Sequence, residues 1–131
     1  MPVEFWLEIY LMPFDWNDYY TLAEDLRTST YESCRRSAIS RVYYSVYCQA
    51  RNRLVELGVE IPVIYSAHRW VWNYYKRTNG RTSSGIGDNG DRLHFNRKRA
   101  DYNDDIDKLD DVVAESFRFA DKVLYYLDQI S

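Results

Sequence analysis

Residues 31–57 read YESCRRSAISRVYYSVYCQARNRLVEL. Ala38, Val42, Val46, Ala50, Leu54 and Leu57 recur there at steps of three and four, and Ile39 and Tyr43 widen the stripe. That recurrence is the period of an α-helix with one buried face. Neither Pro nor Gly interrupts it until Gly58, whose freedom at positive φ suits a helix stop. The spacing predicts one long helix from about Tyr31 to Leu57.

The same period appears on both sides. Tyr19, Leu22, Ala23 and Leu26 mark a helix from about Trp16 to Arg27, with Asp15 as its N-cap. Trp70, Val71, Tyr74 and Tyr75 give an aromatic face to a helix from about Ser66 to Arg77, with Ser66 as its cap. Asp91 to about Asn103 forms another. Ile106, Leu109, Val113, Phe117, Ala120, Leu124 and Leu127 form a stripe on the last, from about Asp105 to Ile130, whose acidic start suits the positive end of the helix dipole. Strand signals are missing from residue 15 onward. The expected fold is all-α, an up-and-down bundle of four main helices plus a shorter one, over residues 15–131. Residues 1–14, between Pro2 and Pro13, stand apart as an N-terminal arm. Their alternation of Val3, Phe5, Leu7, Ile9 and Leu11 fits a short strand or a segment packing on a partner.

The 131 residues suit one domain, and 46% hydrophobic residues suffice for a buried core. A net charge of -3 excludes steering to nucleic acid by bulk charge, so any such site must be a local patch. Charge is unevenly placed: Arg92, Arg97, Lys98 and Arg99 precede Asp101, Asp104, Asp105, Asp107, Asp110 and Asp111. Cys34 and Cys48 fall on one helix about 21 Å apart, too far to pair, and free thiols suit a reducing cytoplasm. No Cys/His cluster has zinc spacing, and no metal or cofactor is expected. No basic leader and no run of about 20 apolar residues points to export or a membrane span.

Residues 78–90, TNGRTSSGIGDNG, are dense in Gly and Ser and predict a mobile loop. Gly85-Ile86-Gly87-Asp88-Asn89-Gly90 matches the dinucleotide fingerprint letter for letter. That fingerprint works only where a strand enters the loop, and here a helix enters, so dinucleotide binding is not expected.

Chemistry concentrates in His94-Phe95-Asn96-Arg97-Lys98-Arg99-Ala100-Asp101-Tyr102-Asn103. On a helix His94 and Arg97 share a face, Arg97 and Asp101 can pair, and Arg99 and Tyr102 lie three apart. Arginine can grip a phosphate bidentately, and Tyr or His can move a proton. Such a set suits RNA cleavage without a metal, because the 2′-hydroxyl is itself the nucleophile. An ordinary helical ion pair beside a solvated Arg99 explains the same residues. Arg41, inside the apolar part of the long helix, and His68, at the start of the third, are further candidates. Arg41 could snorkel to the surface, or reach Asp101 or a phosphate.

Ser37-Ala-Ile-Ser-Arg41-Val-Tyr43-Tyr44-Ser-Val-Tyr-Cys-Gln-Ala50 resembles the second helix of HEPN-domain proteins, particularly small stand-alone members with an Arg-x-Tyr-Tyr-Ala signature. Arg97-Lys-Arg-Ala-Asp101-Tyr102 resembles their Arg-x-x-Ala-Asp-Tyr motif, and His68 falls where a His often opens the next helix. The agreement in order and spacing runs from about residue 17 to 128. The resemblance implies a short helical bundle that forms a homodimer, acting in many members as a metal-independent ribonuclease toxin or phage-defence effector. It also implies an active site shared by both subunits and a nucleotidyltransferase antitoxin as a partner. Its nuclease pattern has four to six residues between the Arg and a His; here four residues separate Arg97 from Tyr102.

Two functions follow as expectations. In the first, an RNA-cleaving effector, Arg97 holds the scissile phosphate, Asp101 orients Arg97 or Arg41, and Tyr102 positions or activates the 2′-hydroxyl. Arg41, His68, His94, Lys98 and Arg99 bind RNA or its phosphates. In the second, a catalytically inactive module uses the same cluster to bind a nucleotide, RNA or a partner nucleotidyltransferase. A third reading makes the cluster a device that fixes the register of a helical dimer.

Overall fold

The apolar stripe of residues 38–54 becomes the axis around which the other helices assemble. The structure, a computed structural model, describes residues 13–130. The arm expected over 1–14 lies outside the described residues except for Pro13 and Phe14. Five helices follow in order: α1 (Asn17–Arg27), α2 (Glu32–Glu56), α3 (Ala67–Arg77), α4 (Arg81–Tyr102) and α5 (Leu109–Leu127). Among the described residues there is no strand. Three helices are long, and α1 and α3 have 11 residues each. None is long and apolar enough to cross a membrane.

In α2 the whole stripe from Ala38 to Leu54 is buried, and so are Ser40, Ser45, Tyr47 and Cys48 around it. Burial on most of its circumference follows from its neighbours: α1, α4 and α5 all pack on it. Leu57, the last member of the predicted stripe, is exposed beyond the helix end. The Asn17–Gln49 and Trp16–Arg51 contacts run α1 antiparallel to α2. The Asn96–Ser116 hydrogen bond and the approach of Gly85 to Tyr126 run α5 antiparallel to α4. On α5 the buried residues Leu109, Val113, Phe117 and Ala120 match the predicted stripe. Its start differs: the helix begins at Leu109, after Lys108 in the left-handed region at φ 52°.

Asp15 holds the first turn of α1 by accepting the Asn17 N–H at 3.0 Å, although the helix opens one residue later than that cap implies. Ser66 occupies the N-cap position of α3 without a side-chain cap bond. Cys34 and Cys48 are both free.

The loop expected over 78–90 is a correction. Only Thr78–Gly80 turn; from Arg81 the chain is helical without a break to Tyr102. The glycines serve packing rather than mobility. A Cβ at Gly90 would lie 2.2 Å from Trp72 Cε3, and one at Gly87 would lie 2.6 Å from the Trp72 carbonyl oxygen. A side chain on either would hold α3 away from α4. Glycine at three-residue spacing therefore lets the Trp72 indole lie flat against the α4 backbone, and Trp72 is fully buried. Lys76 then reaches Asp91 at 2.6 Å across the same seam. The sequence reading of α3 included Trp70 and Tyr74, which stay partly or largely exposed, and omitted Trp72.

Candidate functional site

Tyr43 is the hinge between the core and the polar cluster. It lies on the α2 stripe, so its ring is buried, yet its hydroxyl needs a partner. Trp72 Nε1, a donor only, donates to the Tyr43 hydroxyl oxygen at 3.1 Å. That hydroxyl lies 2.7 Å from His68 Nδ1. No other acceptor within reach of the Tyr43 O–H is found among the described residues, so we assign the proton of neutral His68 to Nε2. Burial raises the Tyr43 hydroxyl far above the ordinary tyrosine range, so it stays protonated.

Around this bond four rings lie nearly parallel. Tyr47 stacks on His68 with centroids 3.8 Å apart and an interplanar angle of 5°. His94 stacks on Tyr43 at 5.1 Å and 15°. The two imidazoles are 5.4 Å apart. Both are held uncharged at neutral pH: burial first, then the Arg97 guanidinium, lowers each to about 4, with Arg51 adding to the effect on His68 and Lys98 on His94.

Arg97 comes from one turn beyond His94 on the same face of α4. It is only 9% exposed. Its guanidinium carbon sits 5.3 Å from the centre of the Tyr43 ring and 5.4 Å from that of Tyr44. Such placement over ring faces favours a cation. Asp101 Oδ2 accepts from Arg97 Nη1 at 3.4 Å and from the Ser40 hydroxyl at 3.4 Å. Arg97 Nε is buried and makes no hydrogen bond among the described residues. A buried, partly unsatisfied guanidinium beside two neutral imidazoles can hold an anion and accept a proton.

The structure brings His68, His94, Arg97 and Asp101 together. Arg41 joins the edge: its guanidinium lies 4.8 Å from the Tyr19 ring centre and 5.3 Å from that of Tyr44, not beside Asp101. Lys98 is exposed on the outer side of α4. Arg99 turns toward α5, over the Phe95 ring, where it borders a groove with Arg92, Glu115 and Phe119. Tyr102 is 76% exposed at the end of α4, outside the cluster. Helical spacing explains this division in part: residues 94, 97 and 101 share one face, 99 and 102 turn away from it, and Lys98, four residues after His94, stands at its margin.

Ser40, Tyr47 and Trp72 were not among the sequence-predicted site residues, and Tyr43 figured as core and in the Arg-x-Tyr-Tyr signature. The signal for Tyr43 and Tyr47 was their i, i+4 spacing beside Arg41. Trp72 carried no separate signal. Arg36 was missed as well. It donates to the carbonyls of Ala100, Asn103 and Asp104, which caps the C-terminus of α4 and holds Asp101 in register with α2.

Among the described residues, no group of three or more His, Cys, Asp or Glu is placed to hold a metal ion. No family model, no curated protein and no solved structure matches the chain.

Proposed function

We propose that the chain is a HEPN-type ribonuclease that needs no metal and acts as a dimer, with His68, His94 and Arg97 as its working groups. The observation that carries this reading is the pair of neutral imidazoles stacked beside a buried guanidinium that Asp101 holds in place. His94 takes the proton from the RNA 2′-hydroxyl, whose oxygen attacks the adjacent phosphorus. The bond to the 5′ oxygen breaks, and that oxygen takes up the proton that His94 received, directly or through water. The products are a 2′,3′-cyclic phosphate and a 5′-hydroxyl end. Arg97 and His68 Nε2–H hold the non-bridging oxygens as their charge grows.

An imidazole near 4 is a weak base at neutral pH. Burial is the main cause and Arg97 the second; a docked phosphate acts against the second, because its negative charge offsets the guanidinium and favours the protonated imidazoles. Tyr102, separated from Arg97 by four residues and highly exposed, contributes where a second copy brings it over the cluster. A toxin or defence role, with a nucleotidyltransferase as the neutralising partner, extends the same proposal.

The test is incubation of purified protein with cellular RNA in EDTA. Wild type is expected to leave 2′,3′-cyclic phosphate ends. Arg97→Ala and His94→Ala are each expected to slow cleavage by about 100-fold or more, the ordinary contribution of a donor to the developing charge and of a proton carrier. Loss in Tyr102→Phe as well places the site between two subunits. Intact RNA at high protein concentration overturns the nuclease reading.

The closure of Tyr43 and Tyr44 over Arg97, which leaves it 9% exposed, favours the second reading, a non-catalytic module that binds RNA or a nucleotide. Binding without cleavage in the same experiment selects it.

A further inference from the structure

The cation–aromatic pattern does not stop at Arg97. Along α2, Arg41, Tyr44, Tyr47 and Arg51 follow one another at steps of three and four, so they line one side of the helix. The Arg51 guanidinium lies 5.8 Å from the Trp16 ring centre and 6.0 Å from that of Tyr47. The Arg41 guanidinium lies between Tyr19 and Tyr44. Each of the three arginines thus rests over two aromatic rings, drawn from α1 and α2 for Arg41 and Arg51.

Their ionic partners are few. Arg97 pairs with Asp101. Among the described residues Arg41 and Arg51 form no ion pair, and Arg51 Nε donates only to the neutral Asn52 Oδ1 at 3.1 Å. The face therefore carries three guanidinium groups against one paired carboxylate, on a chain whose net charge is -3. Elsewhere only Arg35, Arg36, Arg53 and Lys76 are ion-paired among the described residues, with Asp110, Glu32, Glu56 and Asp91, so what sets this face apart is that each of its arginines lies over two rings. Unmatched positive charge interleaved with rings complements a strand that alternates phosphates with bases. From Arg41 to Arg51 is ten residues, about 15 Å along the helix axis, which exceeds the reach of a single nucleotide.

We infer that the Arg41–Arg51 side of α2, together with Trp16, is a track for several nucleotides of single-stranded RNA leading into the His68–His94–Arg97 cluster. Arg41 and Arg51 hold phosphates separated by more than one nucleotide, the rings beneath them fix each guanidinium, and the half-buried Trp16, Tyr19 and Tyr44 offer ring area to the bases, while Tyr47 is buried against His68. The track rests on the ribonuclease reading for its direction, since it supplies that site with a strand rather than a mononucleotide. Base-paired RNA is a poor fit, because its bases are already stacked on one another.

The experiment measures fluorescence anisotropy of labelled 12-mers of oligouridylate and oligoadenylate on the full chain, and cleavage of the same strands and of a dinucleotide. Arg51→Ala, Arg51→Gln and Arg41→Ala are compared with Arg118→Ala, an exposed arginine on α5. Circular dichroism confirms that each variant is folded, and Arg51→Gln, which retains much of the stem, stands in where Arg51→Ala is not. The expected result is about tenfold weaker 12-mer binding for each track variant, as for loss of one charge-assisted contact. The slope of log K against log salt should fall by about 0.7 for each arginine removed. Arg51→Gln should weaken cleavage of the 12-mers more than cleavage of the dinucleotide, and Arg118→Ala should bind and cleave as wild type does.

Unchanged 12-mer affinity in both Arg41→Ala and Arg51→Gln overturns the track and leaves the nuclease reading intact. Arginine-dependent binding of strands that are never cut sustains the track and overturns the nuclease reading. Absence of RNA binding, with self-association that Arg41→Ala and Arg51→Ala abolish, overturns the track in favour of an interface between copies.

Discussion

Replacing Gly90 by alanine adds one methyl group to the seam between α3 and α4. The new Cβ would stand 2.2 Å from Trp72 Cε3, 2.3 Å from Cζ3 and 2.5 Å from Cδ2. Carbon atoms in contact prefer about 3.5–4.0 Å, so the indole must withdraw by about 1.5 Å. It has nowhere to go cheaply. Trp72 is fully buried, and its N–H is committed to the Tyr43 hydroxyl. Overpacking costs about 1–3 kcal/mol, and a 2.2 Å approach to a fully buried ring places this case at about 2–3 kcal/mol. Against it stands the better helix propensity of alanine, worth about 1 kcal/mol in a helix interior. The balance is a loss of about 1–2 kcal/mol, or about 4–8 °C in Tm for a domain of this size. Thermal unfolding followed by far-UV circular dichroism measures it. Asp88→Ala, at an exposed position on the same helix, is the reference and should melt at or above the wild-type temperature. In a double-mutant cycle with Trp72→Phe the cost of the methyl group should shrink, because the ring that it strikes is smaller. Gly90→Ala as stable as wild type would refute the close approach of α3 and α4.

Two further outcomes follow from the cluster. His68 and His94 are each lowered to about 4 from an ordinary value near 6.5, so the unfolded chain binds more protons between those limits. Stability should be full above pH 6.5 and decline as the pH falls toward 4; the partial exposure of both rings reduces the loss to about 1–2 kcal/mol each, read by urea titration at pH 7 and pH 4.5. His68→Gln combined with His94→Gln should flatten that decline, and an unchanged slope refutes the assignment. Tyr43→Phe removes the acceptor of a buried indole N–H and should cost about 1–3 kcal/mol in urea unfolding at pH 7; a change within error would mean that the hydroxyl is not their shared partner.

Legibility in the sequence followed the range of the interaction. The stripes of α2 and α5 could be read because burial repeats at the helical period within each segment, as Val42, Val46 and Ala50 show. The His94, Arg97 and Asp101 face could be read for the same reason: three side chains on one helix meet by spacing alone. Tyr102 failed the same test in space, since one position past Asp101 it turns outward and is exposed. Tyr47 and His68, whose rings make the closest stack in the cluster, come from different helices, and nothing local announces their meeting.

The sequence by itself determined that the described residues build helices and no strand, and which residues of α2 and α5 face inward, because periodicity is a property of neighbouring residues. Tertiary structure alone decided what residues 81–90 are. Glycine lowers helix propensity by about 1 kcal/mol at each position, so the local signal is a loop. Burial of Trp72 against a backbone without side chains outweighs that cost and carries α4 without a break from Arg81 to Tyr102. The tertiary structure likewise decided that the polar cluster has two imidazoles in it. Only the packing of α3 and α4 on α2 draws His68 and His94 to Tyr43 and strips both of enough water to keep them uncharged.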